Sequence, residues 1–188
     1  MANPLTIYSD HGEWDGRGLK RRKKMANPLM IHRARWEDLT EILAIYTYAR
    51  GLMARTGNGG QWGDDYPPEA LVREDMARGQ LYVVRESGAV CGVFAFCIGK
   101  DASYAVIKDG AWHSDSVYGT IHRVAGDGKT HGLFREMVAF CQGKIRHLRI
   151  DTHENNQIMR HLIEKNGFQR CGMICVEDGT PRIAYEKE

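Results

Sequence analysis

The sequence predicts an α/β domain built on a mixed sheet with helices on both faces. Short runs rich in Val, Ile, Phe, Tyr and Cys alternate with stretches whose apolar residues recur at spacings of three and four. Glycine-rich turns punctuate the boundaries. The chain has 188 residues, enough for one ordinary domain with a sizeable core.

Met30 to Ala34 alternates apolar and polar residues as a short strand does. A helix follows, because Leu39, Ile42, Leu43, Tyr46, Ala49 and Met53 share one face. Glu37 and Asp38 suit the positive end of its dipole. Gly57 to Gly60 ends it, and Pro67-Pro68 opens a second, shorter helix that Gly79 closes. Gln80 to Arg85 and Val90 to Ile98 read as a hairpin around Glu86 to Ala89. A loop with a short strand at Tyr104 to Ile107 leads to a strand over Val117 to Ala125. A glycine-rich turn, Gly126 to Gly132, precedes a helix from about 131 to 142. His147 to Asp151 is a strand, and Asn156 to Lys165 a helix ended by Asn166-Gly167. Phe168 to Val176 and Arg182 to Tyr185 form a closing hairpin around Asp178-Gly179.

Composition narrows the setting. A hydrophobic share of 43% and a charged share of 27% are ordinary for a globular domain. Five cysteines, Cys91, Cys97, Cys141, Cys171 and Cys175, are an odd number without CxxC spacing. They read as free thiols in a reducing compartment. No apolar stretch is long enough to cross a bilayer and no apolar signal core leads the chain, so the expected address is the cytoplasm, with no membrane partner. Residues 1–24 carry six basic and three acidic side chains, including the run Lys20 to Lys24. The remainder is close to neutral. The run reads as a solvated tail, and nucleic acid is not the expected partner. Met1-Ala2-Asn3-Pro4-Leu5 recurs as Met25 to Leu29, so residues 1–24 are read as a disordered or artefactual extension, and 25–188 as the single domain. The histidines lack an HxxxH spacing with a third ligand, and no metal site is expected.

The central chemical signal is a strand ending in His122-Arg123-Val124-Ala125, then a seven-residue turn with three glycines and Lys129, then directly a helix. Glycines free backbone N–H groups to point at an anion, and the helix N-terminus adds its positive end. This is a prospective pyrophosphate cradle. An ordinary strand-to-helix turn is the competing reading.

Here the sequence resembles the GNAT acetyltransferases. Their cofactor motif sets a valine, then glutamine or arginine five residues on, glycine three further, and a small residue two beyond. Val124, Lys129 and Gly132 stand at the first three positions, with Phe134 at the last. A second family motif spans Asn156 to Phe168, with Asn156, Met159, Leu162, Glu164, Gly167 and Phe168 in place. Ile163 stands where the family usually has its tyrosine acid.

The resemblance implies a mostly antiparallel sheet splayed between its fourth and fifth strands, with acetyl-CoA as co-substrate. The pantetheine arm would pair with the strand near Val124. Donors from Lys129, Thr130, His131, Gly132 and Leu133 would meet the pyrophosphate. Asn156 would face the arm or simply cap its helix. The implied activity is N-acetyltransfer by direct attack of a primary amine, on a small molecule or a peptide. A catalytically degenerate acetyl-CoA sensor is the alternative. Candidate bases, chosen because histidine is the side-chain type suited to proton transfer at neutral pH, are His122 and His153, with Asp151 beside them. Trp62, Asp65 and Tyr66 could hold a cationic amine from the segment between the first two helices, or simply pack. Trp112 and His113 are weaker contributors. Cys141 reads as core rather than as an acyl-carrying nucleophile. Val176 and Ile183 of the closing hairpin suggest sheet extension into a homodimer.

Overall fold

The computed structural model describes residues 28–176 and 178–188. The expected extension over 1–24 lies outside the described residues. The elements are β1 (Met30–Arg33), α1 (Leu39–Arg55), α2 (Glu69–Ala77), β2 (Leu81–Glu86), β3 (Ala89–Ile98), β4 (Gly119–Gly126), α3 (Leu133–Gln142), β5 (Leu148–Thr152), α4 (Gln157–Lys165), β6 (Gln169–Cys175) and β7 (Pro181–Lys187). The seven strands form one sheet in the order β1-β2-β3-β4-β5-β7-β6. Every neighbouring pair is antiparallel except β4 and β5. The predicted mixed, mostly antiparallel α/β architecture is therefore the one observed.

Alternation along β2 explains the two layers. Leu81 and Val83 join Ile42, Tyr46, Val72 and Met76 beneath α1 and α2. Tyr82 and Val84 turn to the other face, with Phe134, Met137 and Cys141 of α3 and Ile163 of α4. β3 is buried from Val90 to Phe96 because both its faces are covered, which is why it reads as a continuous apolar run. Gly167 at φ 83° ends α4 by passing the chain through the left-handed region, and Phe168 beyond it is buried.

Two expectations are corrected. The strand placed at Tyr104 to Ile107 is a 3-10 turn over Ala102–Tyr104. The Asp101 carboxylate accepts the Ser103 amide at 2.9 Å, curling the chain where a strand would extend it. Sheet extension through Ile183 is precluded, because β7 lies between β5 and β6 and Ile183 packs into the core. The outer strand of that hairpin is β6.

Among the described residues no helix is long and apolar enough to cross a membrane.

Candidate active site

The site begins with an irregularity in β4. Its pairing with β3 shifts register, with Val93 opposite Ala125 but Ala95 opposite His122, so Arg123 and Val124 together face one residue. Arg123 adopts φ 52°, a left-handed conformation that costs a non-glycine residue about 1–3 kcal/mol. Its surroundings hold it there. The guanidinium donates twice to Asp75, at 2.9 and 2.8 Å, and its carbonyl accepts from the buried Tyr46 hydroxyl at 3.2 Å. Burial pushes the Asp75 carboxyl above its usual range, and the Arg123 guanidinium only partly offsets this.

The bulge coincides with the end of β4–β5 pairing, which runs only through Gly119, Thr120 and Ile121. Beyond it the strands part, and Asp151 and Thr152 keep only the pairing with β7 that runs along the whole of β5. The opening belongs to a cleft of about 1660 Å³ bordered by the second half of β4, the turn into α3, the end of β5 and the start of α4. The segment between α1 and α2 closes one side.

His122 sits at the fork. Its Nε2 is 2.8 Å from Asp101 Oδ2, and its Nδ1 is 4.0 Å from Asp151 Oδ1. The Tyr104 hydroxyl donates to the same Asp151 oxygen at 2.6 Å. Burial first, and Asp151 second, hold the Tyr104 hydroxyl well above its ordinary range, so it keeps its proton. His122, Asp101 and Asp151 border the cleft, whereas the Tyr104 side chain is buried behind Asp151.

The hydrogen bond from His122 lowers the Asp101 carboxyl against the opposing effect of burial. A carboxyl lowered in the folded state contributes stability above its unfolded pKa of about 3.9, and loses it as pH falls through the folded value. Asp101→Asn is accordingly expected to cost about 1–2 kcal/mol at pH 7. The gap to the unsubstituted chain should narrow as pH falls below about 4. Denaturant melts at several pH values check this, and a gap constant down to pH 3 would contradict it.

The turn into α3 departs from the expected cradle. The amides of Lys129 and Thr130 both donate to Asp127 Oδ1 at 2.9 Å, so these two donors are already satisfied within the turn. The Lys129 side chain is exposed and does not border the cleft, whereas Thr130, His131, Gly132 and Leu133 do. Gly132 is the N-cap of α3 at φ 78°, and a Cβ there would meet only the Arg135 guanidinium, at 3.8 Å. The first-turn amides of α3 have no carbonyl one turn back, so they remain the donors facing this space. Phe134 packs into the core beside Met137 and Val138 and also borders the cleft.

Asn156 caps its helix and also borders the cleft. Its Oδ1 caps α4 through the Met159 amide at 3.1 Å. Its Nδ2 donates to Gln61 Oε1 at 3.0 Å while the residue borders the cleft. Gln61 also accepts from Asn58 at 2.8 Å, tying the α1–α2 segment to the start of α4. Val124, Asp65 and Tyr66 line the cleft. Trp62 borders it too but is buried against Tyr46 and Tyr66, so packing is its main work.

Several expected residues lie elsewhere. His153 accepts the Asn155 amide in its own turn and is not in the cleft wall. Trp112 stacks on Tyr104 and against the Arg149 guanidinium, outside the cleft, with His113 next to it. Cys141 is fully buried, its thiol pushed by burial up to about 12, which suits core packing. All five cysteines are free.

Sequence reasoning missed Asp75, Asp101, Tyr104 and Arg135. Asp101 and Asp75 lie 21 and 48 residues from their partners, and no local pattern links them.

No protein-family model matches the chain, and no curated protein matches it. Solved structures do. A GNAT-family acetyltransferase from Streptococcus agalactiae 2603 is 29% identical with a TM-score of 0.78, covering 86% of this chain and 96% of its own. A GNAT-family acetyltransferase from Listeria monocytogenes 4b F2365 is 17% identical at a TM-score of 0.64, covering 85% and 94%. An N-acetyltransferase from Staphylococcus aureus Mu50 is 19% identical at 0.53, covering 86% and 99%. The second and third speak for the fold alone, while the first adds a sequence likeness over nearly its whole length. The strand order and the opened β4–β5 pair are those of the GNAT fold, and the chain is similar in sequence and structure to a GNAT-family acetyltransferase over nearly the whole of that protein.

Proposed function

We propose that this chain is an acetyl-CoA-dependent N-acetyltransferase that passes the acetyl group directly to a primary amine. One observation carries the reading: the parallel β4–β5 pair opens immediately beyond Ile121, and the hydrogen-bonded His122–Asp101 pair and Asp151 stand in that opening. Acetyl-CoA would supply the thioester. Its pyrophosphate would meet the first-turn amides of α3, with the His131 and Arg135 side chains beside them at the cleft wall. Its pantetheine arm would run along the backbone freed on β4 near Val124.

The acceptor would arrive as an ammonium ion, drawn to a wall carrying Asp65, Asp101 and Asp151. With Nε2–H donated to Asp101, His122 keeps its lone pair on Nδ1 and takes the amine's proton there, directly or through one water. The neutral amine attacks the thioester carbonyl, the new C–N bond forms, the nitrogen gives its second proton to solvent, and the C–S bond breaks. Ile163 is fully buried and cannot protonate the leaving sulfur. A thiol pKa near 8.5 lets the thiolate depart and take its proton from solvent or from the imidazolium.

Calorimetry with acetyl-CoA tests the cofactor half of this reading. The intact chain should bind, and Gly132→Trp should bind at least about tenfold more weakly, a loss of about 1.4 kcal/mol. The substitution places an indole in the space bordering α3 and adds about 1–2 kcal/mol of left-handed strain, which leaves the core intact. An intact chain that ignores millimolar acetyl-CoA would overturn the proposal. A thiol-release assay over a panel of primary amines then identifies the acceptor.

A further inference from the structure

Three side chains with metal-ligand chemistry meet outside the cleft. His113 Nδ1, Cys171 Sγ and a Glu186 carboxylate oxygen all lie within 4.8 Å of one another. The His113 nitrogen is 3.9 Å from the sulfur and 3.7 Å from Glu186 Oε1.

The backbone builds this meeting. Cys171 is the extra residue of a bulge in β6, lying between Arg170 opposite Tyr185 and Gly172 opposite Ala184, and bulges re-aim side chains. The loop bearing His113 is joined to β6 by a reciprocal pair of 2.8 Å bonds between Lys108 and Met173, and by the Ala111 amide to the Cys171 carbonyl at 3.0 Å. A Cβ at Gly110 would stand 1.9 Å from that carbonyl oxygen, so only glycine permits the approach. The His113 amide donates to Glu186 Oε1 at 3.0 Å, fixing the carboxylate beneath the imidazole.

Glu186 is 2% exposed. Its Oε2 lies 3.5 Å from Arg149 Nε and 3.7 Å from His147 Nε2, and none of these three buried atoms has a hydrogen-bond partner. Oε2 therefore faces Arg149 and His147, while Oε1 faces His113.

We propose that His113 Nδ1, Cys171 Sγ and Glu186 Oε1 bind a zinc-type divalent cation, with water as the fourth ligand. A nitrogen, a sulfur and a carboxylate oxygen are the mixed donor set that zinc takes and that magnesium and calcium do not. Zinc bond lengths of about 2.0–2.3 Å at tetrahedral angles put ligand atoms about 3.4–3.6 Å apart. The His113 separations need to close by only tenths of an ångström, and the Cys171 to Glu186 edge by more. The His113 side chain is half exposed, which gives the ion an entry path and room for the water. Binding replaces the thiol proton with the metal and releases that proton. The ion would clip the 108–113 loop to the closing hairpin. Because Trp112 in that loop stacks on Tyr104, it would also steady the hydroxyl that holds Asp151.

Cobalt(II) titration of the metal-free full chain tests the site. One equivalent should produce near-ultraviolet thiolate-to-cobalt absorption, and zinc should raise the melting midpoint. Cys171→Ser should abolish the absorption, and His113→Ala should weaken cobalt binding at least tenfold. Because His113 is exposed, its variant should fold even if the Cys171 variant does not. Absence of thiolate absorption in the unsubstituted chain, or undiminished cobalt affinity in His113→Ala, would overturn the proposal.

Discussion

Replacing His122 by glutamine is expected to lower kcat for acetyl transfer by roughly 100- to 10 000-fold, the usual worth of a positioned general base. Glutamine keeps a hydrogen-bonding amide near Asp101 but has no group that takes a proton at neutral pH. The pantetheine and pyrophosphate sites proposed on β4 and α3 do not use this side chain. Acetyl-CoA affinity measured by calorimetry should therefore change little while turnover collapses. A rise in KM with kcat preserved would instead mark His122 as a binding group. Unchanged kcat would remove it from the mechanism. Asp101→Asn leaves the imidazole in place but loses the ionic hydrogen bond that orients it, so its fall in kcat should be smaller than that of His122→Gln.

The second large effect is on stability. Asp75→Ala leaves the Arg123 guanidinium inside the protein without its carboxylate, and breaking such a pair from one side costs about 3–5 kcal/mol. The loss should appear as a lowered midpoint in denaturant melts. It should exceed that of the double variant Asp75→Leu with Arg123→Met, in which neither charge stays buried. The single variant should also reduce transfer activity, because the same pair holds the left-handed turn of β4 that precedes the opening. A loss below about 1 kcal/mol would show that Arg123 reaches water once its partner is gone, and that the bulge does not depend on Asp75.

Much of the fold was legible because its elements obey local rules. The spacing of Ile42, Tyr46 and Ala49 gives α1, the Asn166-Gly167 stop ends α4, and alternation in β2 sends residues to two faces. The short strand expected near Tyr104 failed because a side-chain bond from Asp101 overrode apolar content. That Ile183 offers no free sheet edge was not legible, because strand order in a sheet is a long-range property, and nothing in residues 181–187 says that β7 inserts between β5 and β6.

The sequence by itself determined which residues form helices and strands, where the glycine-rich turn meets α3, and that His122 precedes that turn on its strand. Each of these follows from periodicity or from spacing within one motif. The tertiary structure alone decided how those pieces work together. Asp127, two residues from Lys129, takes the amides expected to serve the cofactor, a bond that depends on the conformation of the turn. Asp101 orients His122 from a loop, Asp75 braces Arg123 from α2, and His113 comes over Cys171 and Glu186 across two strands. These partners are brought together by packing. Contacts between residues tens of positions apart form only after the sheet closes, and they leave no periodic trace in the chain.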